Sequence, residues 1–174
     1  MTNQGRPSAA KERITIERTY KARISEVWAL WTTKEGIESW WGPDGFAVHV
    51  RSIDLRPDGE LRYAMTATAT RQVEFMTRAG MPLTNEHLIV YTEVQPSARL
   101  AYSHLVDFIP GVESYEVAMV VELHKTAGGV RMVLTIDRMH DDVWTERAIA
   151  GWEMELRKLE KVLEIAPKLD HTHE

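Results

Sequence analysis

The side chains best suited to proton or ligand chemistry near neutral pH are seven histidines: His49, His87, His104, His124, His140, His171 and His173. An imidazole changes charge in that range, so each could move a proton, meet an anion or bind a metal. Metal binding from strands favours a His-x-His spacing, and only His171 and His173 show it. They sit in a polar tail, where such a pair reads as solvated or as an adventitious metal binder. No functional metal site and no cofactor is expected.

His104 differs from the rest. In RLAYSHLV it shares parity with Leu100 and Tyr102, so on a strand it points the same way as two apolar groups. Such a histidine is either hydrogen-bonded at the end of a sheet or in contact with a ligand inside a cavity. Tyr63, in phase with Leu61 and Met65, offers an apolar wall with one polar tip, or a packed ring whose hydroxyl meets a neighbour. His87 and Tyr91 share a strand face with Glu93. Either that set or Leu88, Val90 and Val94 faces inward, because a slip of one residue exchanges the faces. Glu74, Asp107, Glu113 and Glu116 could each pair with a histidine for acid–base work, yet no spacing singles out a pair. Solvated charges are their default reading.

Several chemistries are excluded outright. There is no cysteine, hence no disulfide, thiol nucleophile or cysteine-held zinc. The chain carries no GxSxG, HExxH or GxGxxG signature, no phosphate-binding loop and no EF-hand. No catalytic residue is singled out.

Large apolar side chains are more telling. WWGPDG places Trp40 and Trp41 directly before a chain-breaking Gly-Pro. Of the six tryptophans (28, 31, 40, 41, 144 and 152), Trp28 or Trp31, together with Trp152, is expected in the core. Trp40 and Trp41 cannot both point fully inward from one helix exit, so one is expected to line a cavity entrance. Met65, Met76, Met81, Met119 and Met132 are adaptable linings or gap fillers. The candidate ligand-binding set is therefore Trp40, Trp41, Tyr63, Met65, His104, Met119 and Trp152.

These residues need elements to position them. ITIERTY (14–20) alternates and reads as a strand. RISEVWALW follows with Ser25 as a plausible N-cap and Ile24 as a staple, then a second short helix starts near Thr33. From 46 to 138 six further β-rich runs are separated by the turn signals RPDG, QPSA, FIPG and AGG, which predicts an antiparallel meander. The stretch 70–85 predicts an extra short helix ended at Gly80. The last element is the clearest. Ala148, Ile149, Trp152, Leu156, Leu159 and Leu163 form one apolar stripe, Asp141 or Asp142 can cap the start, and Pro167 marks the end. Glu153 and Arg157 are spaced for an i,i+4 ion pair on its wet face.

The bulk numbers fit one domain. A chain of 174 residues buries roughly 70% of its unfolded surface. Its net charge of −5, with no local run of Lys or Arg, argues against nucleic-acid and anionic-membrane partners. The first residues lack an apolar signal segment and no apolar run could span a bilayer, so a cytoplasmic location is expected. The expected division is a disordered stretch at 1–12, one domain at 13–167 and a tail at 168–174.

Val27-Trp28, Trp40-Trp41-Gly42-Pro43, Asp54-Leu55-Arg56-Pro57-Asp58-Gly59, Glu93-Val94-Gln95-Pro96 with Arg99-Leu100, and Gly151-Trp152 with Leu156 and Leu159 together span about residues 14–165. In this order and spacing the sequence resembles bacterial relatives of the activator of heat-shock-protein ATPase, in the START/Bet v-like (SRPBCC) helix-grip superfamily. The resemblance implies an α+β fold: a curved seven-stranded antiparallel sheet wrapped around a long C-terminal helix, with two short helices after the first strand. The 70–86 segment is longer than the family's usual hairpin and is expected to form a lid over the cavity mouth. The first functional expectation is binding of a small hydrophobic molecule between sheet and helix. A cyclase- or hydrolase-type enzyme using a cavity histidine or carboxylate is the alternative, and a chaperone-interacting protein the third. A homodimer is plausible.

Overall fold

Seven segments rich in β-branched and aromatic residues make strands; short links join all but two successive pairs, with helices between the first and second strands and between the third and fourth. They are β1 (Arg13–Tyr20), β2 (Phe46–Ile53), β3 (Glu60–Ala67), β4 (Thr84–Gln95), β5 (Arg99–Val106), β6 (Tyr115–Thr126) and β7 (Gly129–Asp137). In the computed structural model, which describes residues 12–107 and 109–169 and side chains as far as Ile165, they form one antiparallel sheet in the order β1-β7-β6-β5-β4-β3-β2. Residues 1–11 and 170–174, which hold most of the expected disordered start and the tail pair His171 and His173, lie outside the described residues.

The sheet curves around a helix, α4 (Asp142–Leu169), and three shorter helices close its ends: α1 (Ile24–Thr32), α2 (Lys34–Trp40) and α3 (Thr70–Arg78). Its inner face carries Ile16, Val48, Leu61, Ile89, Leu100, Val117, Val121, Met132 and Leu134, all buried. Fully burying one such side chain is worth about 1.5–3 kcal/mol, so this face is the main source of stability.

On β4 both sequence alternatives hold, one after the other. Ile89 and Tyr91 are buried while Leu88 is exposed, so the odd-numbered residues face inward at first. A register shift between Tyr91 and Glu93 then turns the strand over, and Val94 packs against the core. A bulge inserts one residue and so exchanges the faces beyond it.

α1 begins earlier than expected. Its N-cap is Arg23, and Ile24 is already helical. Ser25 is not needed as a cap, because Glu26 reaches back to accept the Arg23 backbone N–H at 3.1 Å. α2 starts where predicted, with the Thr33 hydroxyl accepting the Gly36 N–H at 3.0 Å.

α4 runs two residues past Pro167. Its stripe divides in two: Leu156, Leu159 and Leu163 are buried, whereas Ala148 and Trp152 are only half-buried. Glu153 does not rely on Arg157. It pairs with Arg18, an inward-facing residue of β1, and so ties the helix to the sheet edge. α3 ends near Gly80 as predicted, with Met76 buried and Phe75 exposed. Gln72 of α3 donates to the Asp44 carbonyl at 3.2 Å, which anchors this helix beside β2 and β3.

Candidate functional site

Where the α4 stripe is half-buried, helix and sheet leave a cavity of about 260 Å³. β5 supplies His104, β6 Val117 and Met119, β7 Ile136 and Asp137; Met139 follows, and α4 supplies Trp144, Arg147, Ala148 and Trp152. Period two on the strands and i, i+4, i+8 on the helix bring these residues face to face. A hollow of about 570 Å³ lies elsewhere, between Lys21–Glu26 and Lys125–Gly129. It is a shallow, open depression whose rim carries Lys21, Arg23, Glu26 and Lys125, and it is less enclosed than the cavity beneath α4.

The cavity wall is apolar with few polar groups. Asp137 is already satisfied: one oxygen accepts the Ala118 N–H at 3.0 Å and the other lies 3.3 Å from Arg13 Nε. His104 is pushed below the usual histidine range, first by burial and then by the nearby charge of His87. Its imidazole is therefore neutral at pH 7, with one N–H donor and one acceptor. Met119 Sδ accepts the Tyr102 hydroxyl at 2.8 Å. The Arg147 guanidinium lies 5.0 Å from the centre of the Trp144 ring, a cation–π contact that holds it at the mouth.

The rim is braced by the corner between β7 and α4. Tyr115 Oη is 2.9 Å from His140 Nδ1, and His140 Nε2 is 3.3 Å from Asp141 Oδ2. Asp141 also accepts the Trp144 N–H at 2.8 Å, capping the helix as predicted.

Behind Trp152 a second polar group enters the interior. Glu155 accepts the Gly42 N–H at 2.8 Å, and Lys158 donates to the Gly42 carbonyl at 2.8 Å. Burial raises the Glu155 carboxyl to about 7 against the lowering effects of that N–H and of Lys158. Burial, and to a lesser degree the Glu155 charge, pushes the Tyr63 and Tyr102 phenols upward.

Of the predicted ligand set, His104, Met119 and Trp152 line the cavity. Trp40 and Trp41 are both buried, contrary to the expectation that one would stand at an entrance. Trp40 donates Nε1 to the Leu30 carbonyl at 2.7 Å and meets Trp31 edge-on at 4.7 Å. Trp41 stands edge-on to Tyr63 at 5.4 Å, and Tyr63 stacks on His87 at 5.1 Å. Neither these rings nor Met65 lines the cavity. No residue of 70–86 does either, so α3 is not a lid over this mouth.

Trp144, Arg147, Asp137 and Glu155 were not singled out from the sequence. The signal lay in α4: Trp144, Ala148, Trp152 and Glu155 follow one another at four, four and three residues, a second inner line beside the leucines.

The family model described as Activator of Hsp90 ATPase homolog 1-like protein matches residues 21–164. No curated protein matches the chain. Among solved structures, a protein from Nitrosomonas europaea is similar at 23% identity and a TM-score of 0.68, over 92% of this chain and 99% of its own. An AHSA1-like protein from Aeromonas hydrophila is similar at 20% identity and a TM-score of 0.68, over 94% and 99%. An AHSA1 protein from Silicibacter pomeroyi is similar at 19% identity and a TM-score of 0.67, over 89% and 99%. At such identities the likeness concerns the fold alone.

Proposed function

The chain belongs to the family of Activator of Hsp90 ATPase homolog 1-like proteins, and on that premise we propose that it binds a small hydrophobic molecule in the cavity between the sheet and α4. The observation that supports this reading is the apolar cleft itself, walled by sheet and helix and open at one mouth. Sheet and helix elsewhere pack closely, so a cleft of about 260 Å³ walled by Trp152, Met119, Ile136 and Val117 leaves apolar surface that a ligand would cover. Apolar walls supply affinity and His104 offers one oriented hydrogen bond.

Calorimetric titration of the full chain with naphthalenemethanol, beside an Ala148→Trp variant whose new ring fills the cavity, tests the proposal. Binding to the natural chain and its loss in the variant, with folding retained, is the expected result. Equal heats from both chains, or none from either, would overturn it.

One observation favours a second reading. Glu155 carries a carboxyl raised to about 7, which suits general acid–base work of the cyclase or hydrolase type. It already holds Gly42, however, and stands outside the cavity lining, so binding remains the primary reading.

A further inference from the structure

The lining of the cavity is apolar on almost every side, yet its mouth carries one cation whose partner is missing from its own helix. In α4 the positions three and four residues away from Arg147 are Val143, Trp144, Ala150 and Gly151, none of them acidic. Those are the positions that could reach it along the helix surface; the adjacent Glu146 does not face it. The other carboxylates of the region are engaged elsewhere. Asp137 is held by Arg13 and the Ala118 N–H, Asp142 by Arg138, and Glu153 by Arg18. Asp141 holds the Trp144 N–H and lies 3.3 Å from His140. Among the described residues Arg147 has no carboxylate partner, and what fixes its guanidinium is the Trp144 ring, itself a cavity wall.

Charge and size together narrow the ligand. A planar guanidinium presents a fork of donors that matches a carboxylate and repels an ammonium group. Asp137, the lining residue that could welcome a cation, is already paired with Arg13 through one oxygen and with the Ala118 N–H through the other. A dry cavity of about 150 Å³ takes a benzene ring. The 260 Å³ here holds a larger body, one fused ring pair or a branched chain of similar bulk, with its head group left in the open mouth.

We propose that the cavity is selective for a compact organic anion, an aromatic or alicyclic monocarboxylate whose body lies between Met119, Ile136, Trp144 and Trp152 and whose carboxylate meets Arg147. This inference rests on the reading of the cavity as a ligand site and adds the sign of charge and the bulk of its ligand. His104, on the opposite wall, hydrogen-bonds a second polar atom where the ligand has one. Arg147 acts as the specificity-determining residue.

Three probes with one body and different heads provide the test: naphthoate, naphthalenemethanol and naphthylmethylamine, substituted at the same ring position. Each is titrated calorimetrically into the full natural chain and into Arg147→Met, near neutral pH and at low and high salt. Arg147 is exposed, so the variant keeps the fold, which circular dichroism checks. In the natural chain the carboxylate binds on the order of tenfold tighter than the alcohol, the worth of one charge-assisted pair, and the amine binds weakest. Added salt shrinks the advantage. In Arg147→Met the carboxylate loses its lead over the alcohol. Equal binding of all three heads, or a carboxylate preference that survives in Arg147→Met, overturns the charge assignment and leaves the cavity reading standing. Failure of all three probes to bind the natural chain overturns both.

Discussion

Glu155, on the long helix, accepts the backbone N–H of Gly42 at 2.8 Å, at the corner where the chain leaves Trp41 with a positive φ of 86°. Lys158, one turn on, donates to the carbonyl of the same glycine. A carboxylate and an ammonium thus hold both polar groups of one peptide corner, and α4 is fastened to the exit of α2. The corner is a place where backbone groups would otherwise be left without partners.

The clasp makes stability depend on pH in an unusual direction. Glu155 is raised from 4.5 to about 7 in the fold, so the folded chain holds its proton over a range where the unfolded chain has released it. A raised carboxyl favours the fold fully below the unfolded value, and that contribution is lost as pH rises through the folded one. Its loss between about pH 4.5 and about pH 7 amounts to up to about 3 kcal/mol. Thermal unfolding across that window is expected to show Glu155→Gln gaining on the natural chain as pH rises. Parallel curves for the two proteins would contradict the assignment.

The neighbouring tryptophans are expected to respond unequally to the same substitution. Trp40→Phe leaves the Leu30 carbonyl without its indole donor and opens space in a fully buried site. The loss is expected to be about 2–4 kcal/mol in urea unfolding. Among the described residues Trp41 Nε1 is buried with no hydrogen-bond partner, so Trp41→Phe removes an unsatisfied donor along with its volume. The two effects offset, and a change within about 1 kcal/mol is expected. A loss at Trp41 as large as at Trp40 would show that its indole N–H has a partner.

How far such relations could be read from residues alone depends on their range. The stripe of α4 was legible because Leu156, Leu159 and Leu163 repeat at helical period over many turns. The parity of His104 with Leu100 and Tyr102 was legible for the same reason on a strand. β4 was not, because the bulge after Tyr91 is set by pairing with β5 and turns the strand over midway. Ser25 looked like the cap of α1, but Glu26 performs that task for Arg23. The cavity itself was hidden, since its volume depends on the distance between helix and sheet. Arg147 and Glu155 consequently read as ordinary charges on a charged helix.

Two glycines give a sharp contrast. A Cβ on Gly36 would stand 2.1 Å from the Ala29 carbonyl oxygen and 2.8 Å from Leu30 Cα, both backbone atoms of α1 that cannot move aside. Gly36→Ala is expected to cost more than about 3 kcal/mol, or to prevent folding, because it forces α1 and α2 apart. A Cβ on Gly151 meets nothing within 4 Å, and the residue lies inside α4. Gly151→Ala is expected to stabilise by about 0.5–1 kcal/mol through helix propensity alone. Denaturation midpoints of the two variants check both signs.

His104 and His87 set the acid side. Both are lowered from 6.5, chiefly by burial, so the unfolded chain takes up protons before the folded one does. For a lowered histidine the favourable contribution is complete above the unfolded value and is lost as pH falls through the folded one. As pH falls below 6.5 this loss runs against the gain from Glu155. His104→Phe keeps the ring volume at the cavity wall and removes the titrating group. The variant is expected to retain more stability than the natural chain as the pH drops below 6.5, while behaving alike above it. Because its phenyl ring cannot hydrogen-bond, it should bind a hydroxynaphthoate, which carries a second polar atom, more weakly by the worth of one neutral hydrogen bond, roughly 0.5–1.5 kcal/mol. An acid limb unchanged in His104→Phe would place the proton uptake at His87, whose Tyr63 stacking then becomes the group to substitute.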